Sequence, residues 1–154
     1  MSRIVVGVDG SHGSELALRW AAEEAKLREV PVEAVYVYED TPSYELYEYP
    51  TGLQHEPDEV RRQRAAEHAR EMVEGMVKEL ANATGVHIDA VVVEHRRPAH
   101  ALVERSEDAD MLVVGSRGRG GFTGLVLGSV SQQLTHHARC PLVVVPSAEQ
   151  AETA

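Results

Sequence analysis

The sequence predicts an α/β fold: one domain built on a doubly wound five-stranded parallel sheet in the order 3-2-1-4-5, with helices on both faces. Three observations carry that expectation. Short β-branched runs alternate with longer segments of helical periodicity, so each helix is a crossover between parallel strands. The runs at 4–6, 112–114 and 142–145 show almost no polar alternation, as strands covered by helices on both sides should. A connection rich in glycine follows the fourth run, where a doubly wound sheet reverses its winding and takes its ligands.

The elements follow in order. The first strand is "RIVVGV" (3–8), and Ser11 then caps a helix whose apolar stripe is Leu16, Ala17, Trp20, Ala21 and Leu27. A second strand, "VEAVYVY" (32–38), leads into residues 39–56, which hold Tyr44, Tyr47 and Tyr49 among acids. So long a connection is either a lid or contact surface or a plain solvated loop. The second helix begins near Pro57 and ends about Thr84, with Ala65, Ala69, Met72, Met76, Leu80 and Ala83 at spacings of three and four and Gly85 just beyond. The strand at 86–94 alternates over His87, Ile88, Asp89, Ala90 and Val91, which assigns it to an edge. Pro98 opens a third, short helix, having no N–H to lose there. "MLVVG" (111–115) is the fourth strand, 129–137 the fourth helix, and "PLVVV" (141–145) the fifth strand. Residues 1–147 are read as the domain and 148–154 as a flexible C-terminal tail, too polar to dock.

Composition narrows the function. A chain of 154 residues suits one core, and a net charge of −10 with pI near 5.2 argues against nucleic acid or an anionic membrane as partner. The amino terminus resembles no signal peptide and no apolar run approaches a membrane span, so a cytoplasmic protein is expected. The single Cys140 fits a reducing compartment, and the histidines are too dispersed along the chain to make a structural zinc pattern; no protein ligand to a metal is assigned.

The chemistry concentrates in "VVGSRGRGGFTGLVLGSVSQQL" (113–134). Gly115, Gly118, Gly128 and Ser129 form a G-x2-G-x9-G-S pattern, a loop able to aim several N–H groups at one anion. Ser129, Val130 and Ser131 then open a helix whose first N–H groups lack internal acceptors and whose dipole is positive there. A triphosphate matches those donors. The hydroxyls of Ser129 and Ser131 can add bonds, and Arg117 and Arg119 are the only cations in a stretch with no acid from Met111 to Leu134. A glycine loop ending in an ordinary capped helix is the plain alternative; its location after the fourth strand favours the site. RNA contact through "RGRGG" is disfavoured, because the segment neither repeats nor lies in a polar tract. In "GVDGS", Asp9 lies beside the same switch point, where it either accepts from a ribose hydroxyl or adenine amine or makes a turn with its own backbone. No G-x4-G-K-[ST] occurs, and Gly118-x-Gly120-x-x-Thr123 lacks the third glycine of a dinucleotide fingerprint.

"VGVDGS", "GSRGRGGFTGLVLGSVSQQL" and "HHARCPLVVVP" together closely resemble the universal stress protein family, over essentially the whole of 3–146. The G-x2-G-x9-G-[ST] motif is that family's mark for members that bind ATP. The resemblance implies that Val8 and Asp9 meet adenosine, that Val37 packs on the base, and that Val114 and Gly115 line the ribose. It assigns phosphates to Gly118, Gly128, Ser129, Val130 and Ser131, with Mg2+ accompanying them. Family members of this size commonly pair, and "CPLVVVP" reads as an edge strand, so a homodimer through that edge is expected.

No catalytic residue is assigned. Phosphoryl transfer needs a metal clamp and a residue that places the nucleophile, and the loop has neither lysine nor identifiable base. His12 is read as an exposed helix-start residue, and His136 and His137 as partners of a helix C-terminus. The expected function is therefore an ATP-binding regulatory or stress-response protein with at most slow hydrolysis, in which occupancy orders the 115–131 loop and alters a surface facing an unknown protein partner. An ATP-using phosphotransferase or hydrolase, and a stress scaffold indifferent to nucleotide, are the alternatives.

Overall fold

The computed structural model describes residues 2–39, 57–118 and 126–147. Its strands are β1 (Ile4–Val8), β2 (Val32–Tyr38), β3 (Ile88–Glu94), β4 (Met111–Gly115) and β5 (Leu142–Val145). Its helices are α1 (His12–Arg28), α2 (Asp58–Thr84), α3 (Pro98–Arg105) and α4 (Ser129–His137). The strands form one sheet in the order β3-β2-β1-β4-β5, every neighbouring pair parallel. Ile4 of the central β1 stands level with Val32 of β2 and Met111 of β4, which brings the carboxyl ends of the three inner strands to one rim.

The period-two alternation of each strand divides the interior into two layers. Ile4, Val6, Val32, Ala34 and Val113 face α1 and α2, where Ala17, Leu18, Ala21 and Val73 close over them. Val5, Val35, Leu112 and Val114 face α3 and α4, beneath Ala99, Leu102, Val103 and Leu134. Leu18 and Leu134 are almost wholly buried, each worth roughly 1.5–3 kcal/mol relative to exposure. With few aromatic residues, close aliphatic packing on both faces holds the helices against the sheet.

Three sequence expectations need correction. The buried face of α1 is Ser14, Ala17, Leu18, Ala21, Ala22 and Ala25, while Leu27 is 81% exposed. Leu27 follows Leu18 by nine positions, and at roughly 100° per residue that puts it half a turn away from the core. In α2 the buried row is Ala69, Val73 and Val77; Met72, Met76 and Leu80 flank it half-buried, and Ala83 is exposed. Val73 and Val77 lie on the face of α2 turned to β2 and β3, and the longer Met76 and Leu80 reach the same core from its sides. The strand β5 is not covered like β1 and β4: all four of its residues are half-buried, as its single strand neighbour leaves one side of it open. Three strands also start later than expected, at Ile4, Ile88 and Leu142. The tyrosine-bearing segment at 40–56, Arg119 and the tail at 148–154 lie outside the described residues.

At the amino end of the sheet Glu33 is buried, yet it is fully engaged. Arg3 Nε donates to its Oε2 at 3.2 Å, and Arg105 donates to its Oε1 from Nε at 2.9 Å and from Nη2 at 2.6 Å. Arg3 also donates to Asp108 at 2.7 Å and to the Arg105 carbonyl at 2.9 Å, which binds β1, β2 and the end of α3 together. This charged knot leaves the opposite rim of the sheet for other chemistry.

Candidate functional site

At the carboxyl ends of β1 and β4, where the winding reverses, the described surface opens into a cleft of about 320 Å3. That volume falls at the lower end of small-molecule sites. Val8, Asp9, Val37, Val114, Gly115, Arg117, Gly118, Gly128, Ser129, Val130 and Ser131 all line it. Every described residue that the sequence singled out for the site therefore borders one cavity. It is also walled by residues the sequence reading passed over: Ser14 of α1, Tyr36 of β2, and Pro98 and Leu102 of α3. Tyr36 adjoins Val37 in the chain and takes the opposite face, so the alternation of β2 was the signal for it. Nothing short of the packing of α3 on the sheet locates Pro98 and Leu102.

Asp9 is held by the turn that follows β1. Its Oδ1 accepts from the Ser11 N–H at 2.9 Å and from the Ser11 hydroxyl. Ser11 Oγ in turn accepts from the Ser14 N–H at 3.2 Å, capping α1, and Gly10 supplies the positive φ of 80° that the turn requires. Of the two readings of Asp9, the turn is thus realised, and the carboxylate still faces the cleft. Its other oxygen lies against Gly118: a Cβ on that glycine would sit 2.5 Å from Oδ2. The first turn of α1 comes equally close to the end of β4, since a Cβ on Gly115 would lie 2.8 Å from the Gly13 carbonyl. Glycine at these positions lets three segments meet around one hollow.

The far side of the cleft is the start of α4. Gly128 is its N-cap, with an extended backbone and no side-chain cap, so Ser129 is the first helical residue and its exposed hydroxyl does not cap the helix. Helical geometry leaves the N–H groups of Ser129, Val130 and Ser131 without intrahelical acceptors, and the dipole makes this end positive. The hydroxyl of Ser131 departs from the sequence reading. It is buried and donates to the Ser116 carbonyl at 2.9 Å, with a second contact to the Gly128 carbonyl at 3.1 Å, so its proton serves the frame of the loop. Gly128 N–H donates to the same Ser116 carbonyl at 2.6 Å. Ser116 is further fixed by its own N–H to the Val145 carbonyl at 2.8 Å and by its hydroxyl, which accepts from Ser147 N–H at 3.2 Å.

Among the described lining residues Arg117 is the one cation and Asp9 the one carboxylate. The walls are otherwise aliphatic or main chain, apart from the serines and Tyr36. Such a cavity has an apolar end between β2 and α3, an anion-attracting end at α4, and a carboxylate between them. His12 stands apart, 72% exposed, its Nδ1 3.6 Å from Glu15 Oε2. His136 and His137 occupy the last turn of α4, away from the cleft.

The chain as a whole is similar to known proteins. The family model described as the universal stress protein family matches residues 1–146. A universal stress protein of Mycobacterium tuberculosis is 40% identical over 142 residues, which are 92% of this chain and 44% of that protein. The chain thus spans less than half the length of that relative. Among solved structures, a universal stress protein in complex with cAMP aligns with a TM-score of 0.67 at 22% identity, covering 96% of this chain and 98% of the other. One from Archaeoglobus fulgidus in complex with dAMP aligns at 0.64 and 24% identity, covering 94% and 98%.

Proposed function

The chain belongs to the universal stress protein family, and from that premise we propose that its cleft binds ATP and that the protein acts as a nucleotide-dependent regulator. The observation that carries the reading is the opening of the α4 amino terminus into the same 320 Å3 cleft as Asp9, Val37 and Gly118. The base packs at the apolar end against Val37, the ribose lies along Val114 and Gly115 within reach of Asp9, and the phosphates meet the N–H groups of Ser129, Val130 and Ser131. Arg117 supplies charge and the Ser129 hydroxyl a further donor. The solved relatives in complex with cAMP and dAMP support an adenine nucleotide as the ligand class.

Magnesium fits this site as a companion of the phosphates. The only carboxylate among the described lining residues is Asp9, whose Oδ1 already accepts from Ser11, and Mg2+ prefers phosphate oxygens and water to an all-protein cage. The ion would neutralise phosphate charge. The chain's own residues bind and orient the nucleotide, and none of the described lining side chains is placed as a general base for an attacking water. Hydrolysis is accordingly slow, of the order of 10⁻⁴ per second, as for small GTPases without an arginine finger.

Occupancy alters the connection between β4 and α4, and that surface is read by a protein partner. A homodimer forms through the open side of β5, by antiparallel pairing of its edge. The protein acts in the cytoplasm; no helix among the described residues is long and apolar enough to cross a membrane. Titration calorimetry with Mg-ATP tests the central reading: saturable binding at one site per chain is expected, and no heat together with no thermal shift at saturating ligand overturns it. Turnover faster than about 1 per second, the low end for kinases, would move the protein to the phosphotransferase class.

A further inference from the structure

Away from the nucleotide cleft, three potential metal ligands gather within ten residues, across the turn that joins β3 to α3. His95 follows the last residue of β3, and His100 and Glu104 stand one turn apart on α3; one ligand atom from each lies within 4.8 Å of the others. We propose that His95, His100 and Glu104 form a site for a borderline divalent transition-metal ion, of which Zn2+ is the representative.

The geometry suits such an ion. Tetrahedral bonds of about 2.0–2.1 Å place two ligand atoms roughly 3.3 Å apart. His100 Nε2 and Glu104 Oε1 already stand 3.2 Å apart, the (i, i+4) spacing of one helix face. The third ligand comes from a different element, and its ring lies 5.4 Å from that of His100, centroid to centroid. Its main chain is anchored, for His95 N–H donates to the Tyr38 carbonyl at 2.9 Å. Only two residues separate His95 from Pro98, which starts α3, so the short turn limits how far His95 can drift from the helix. Two imidazoles and one carboxylate favour zinc, nickel or copper over Mg2+, which demands oxygen ligands. Three protein ligands leave a fourth position for water.

Binding has a definite structural consequence. His95 Nδ1 accepts from the Arg97 N–H at 2.8 Å, so a neutral ring carries its proton on Nε2. If the ion takes Nδ1 it displaces that amide; if it takes Nε2 the proton moves to Nδ1 and the amide loses its acceptor. Either way the 95–97 turn is remade, directly before the Pro98 that walls the nucleotide cleft.

The test is titration calorimetry of the full chain, freed of metal and nucleotide, with ZnCl2. Saturation at one equivalent is expected, with Mg2+ in excess leaving it unchanged. His100→Gln and His95→Gln should each weaken binding more than about tenfold, at least the effect of losing an outer-shell partner, while His136→Gln leaves it intact. His100 is half-exposed, so circular dichroism should report an intact fold for its variant. Absence of a saturable event, or variants that bind as the parent does, overturns the proposal. Because no nucleotide is present, the outcome is independent of the ATP reading.

Discussion

The hydroxyl of Ser131 donates to the carbonyl of Ser116 across 2.9 Å, and so joins the first turn of α4 to the residue that follows β4. The glycine-rich connection between them is pinned at both ends by this bond and by the Gly128 N–H on the same oxygen. Two neighbouring serines therefore have separable roles. Ser131→Ala should lower unfolding stability by about 1 kcal/mol, the net worth of one buried hydrogen bond. Ser129→Ala, at an exposed position in the cleft, should leave stability unchanged and weaken ATP by roughly tenfold or more through loss of a charge-assisted bond of about 1.5–3 kcal/mol. Urea unfolding beside calorimetric titration checks the pair; equal effects of both variants on both quantities would contradict the division.

The glycines separate in the same way. Among the described residues a Cβ at Gly128 would meet nothing nearer than 3.5 Å, and its φ of −74° is open to any residue, so Gly128→Ala should fold normally. Its effect falls on the approach of phosphate, and weaker ATP binding with an unchanged melting temperature is expected. Gly118→Ala differs, because the added carbon would sit 2.5 Å from Asp9 Oδ2 and push the carboxylate aside. Loss of ATP affinity together with a lower melting temperature is the predicted signature, read by thermal unfolding with and without Mg-ATP.

The architecture was legible because its signals are local and periodic. Ser11, Pro98 and Gly85 mark helix ends where the structure has them, and the alternation from His87 to Val91 identified an edge strand. Part of the cleft was legible for a similar reason, since the G-x2-G-x9-G-S spacing and "VDGS" both lie at strand ends that a parallel sheet must bring together, whereas Val8, Val37 and Val114 were named only through the family resemblance. Side-chain orientation was less so. Leu27 and Ala83 satisfy a spacing of three and four approximately, but the accumulated angle turns them to solvent. The hydroxyl of Ser131 points to the main chain because burial leaves it in need of an acceptor, which the Ser116 carbonyl provides, and no local pattern announces that pairing. The proximity of His95 to His100 and Glu104 depends on how the 95–97 turn folds back on α3, which the sequence pattern does not state.

The charged knot at the amino end of the sheet makes an acid-side prediction. Asp108 is held below the ordinary carboxylate range chiefly by the hydrogen bond from Arg3, which together with the Arg3 charge outweighs the opposing desolvation. A depressed pKa contributes stability above the unfolded value, near 3.9, which is lost as pH falls through the folded value. Asp108→Asn should therefore melt below the parent at pH 6, and the difference should shrink as pH falls below about 4. A difference constant from pH 6 to pH 3 would contradict the assignment. Glu33 is buried between two guanidinium groups, so Glu33→Ala strands charge and should cost about 3 kcal/mol, at the low end for buried pairs because Arg105 keeps 46% of its side chain exposed.

The end of α1 carries the last prediction. Glu29 terminates the helix with φ 56° and ψ 42°, the one described non-glycine residue with positive φ, while its N–H donates to the Ala25 carbonyl. A left-handed conformation costs a residue with a Cβ about 1–2 kcal/mol. Glycine avoids that cost and keeps the capping bond, but gains about 0.4–1 kcal/mol of freedom in the unfolded chain. Glu29→Gly should therefore stabilise the protein by roughly 0.5–1 kcal/mol, a rise of about 2–3 °C in melting temperature for a domain of this size. ATP affinity should not change, because Glu29 lies at the opposite end of α1 from the cleft. Thermal unfolding of the variant decides it: a melting temperature equal to or below that of the parent would mean that the Glu29 side chain contributes more than its backbone conformation costs.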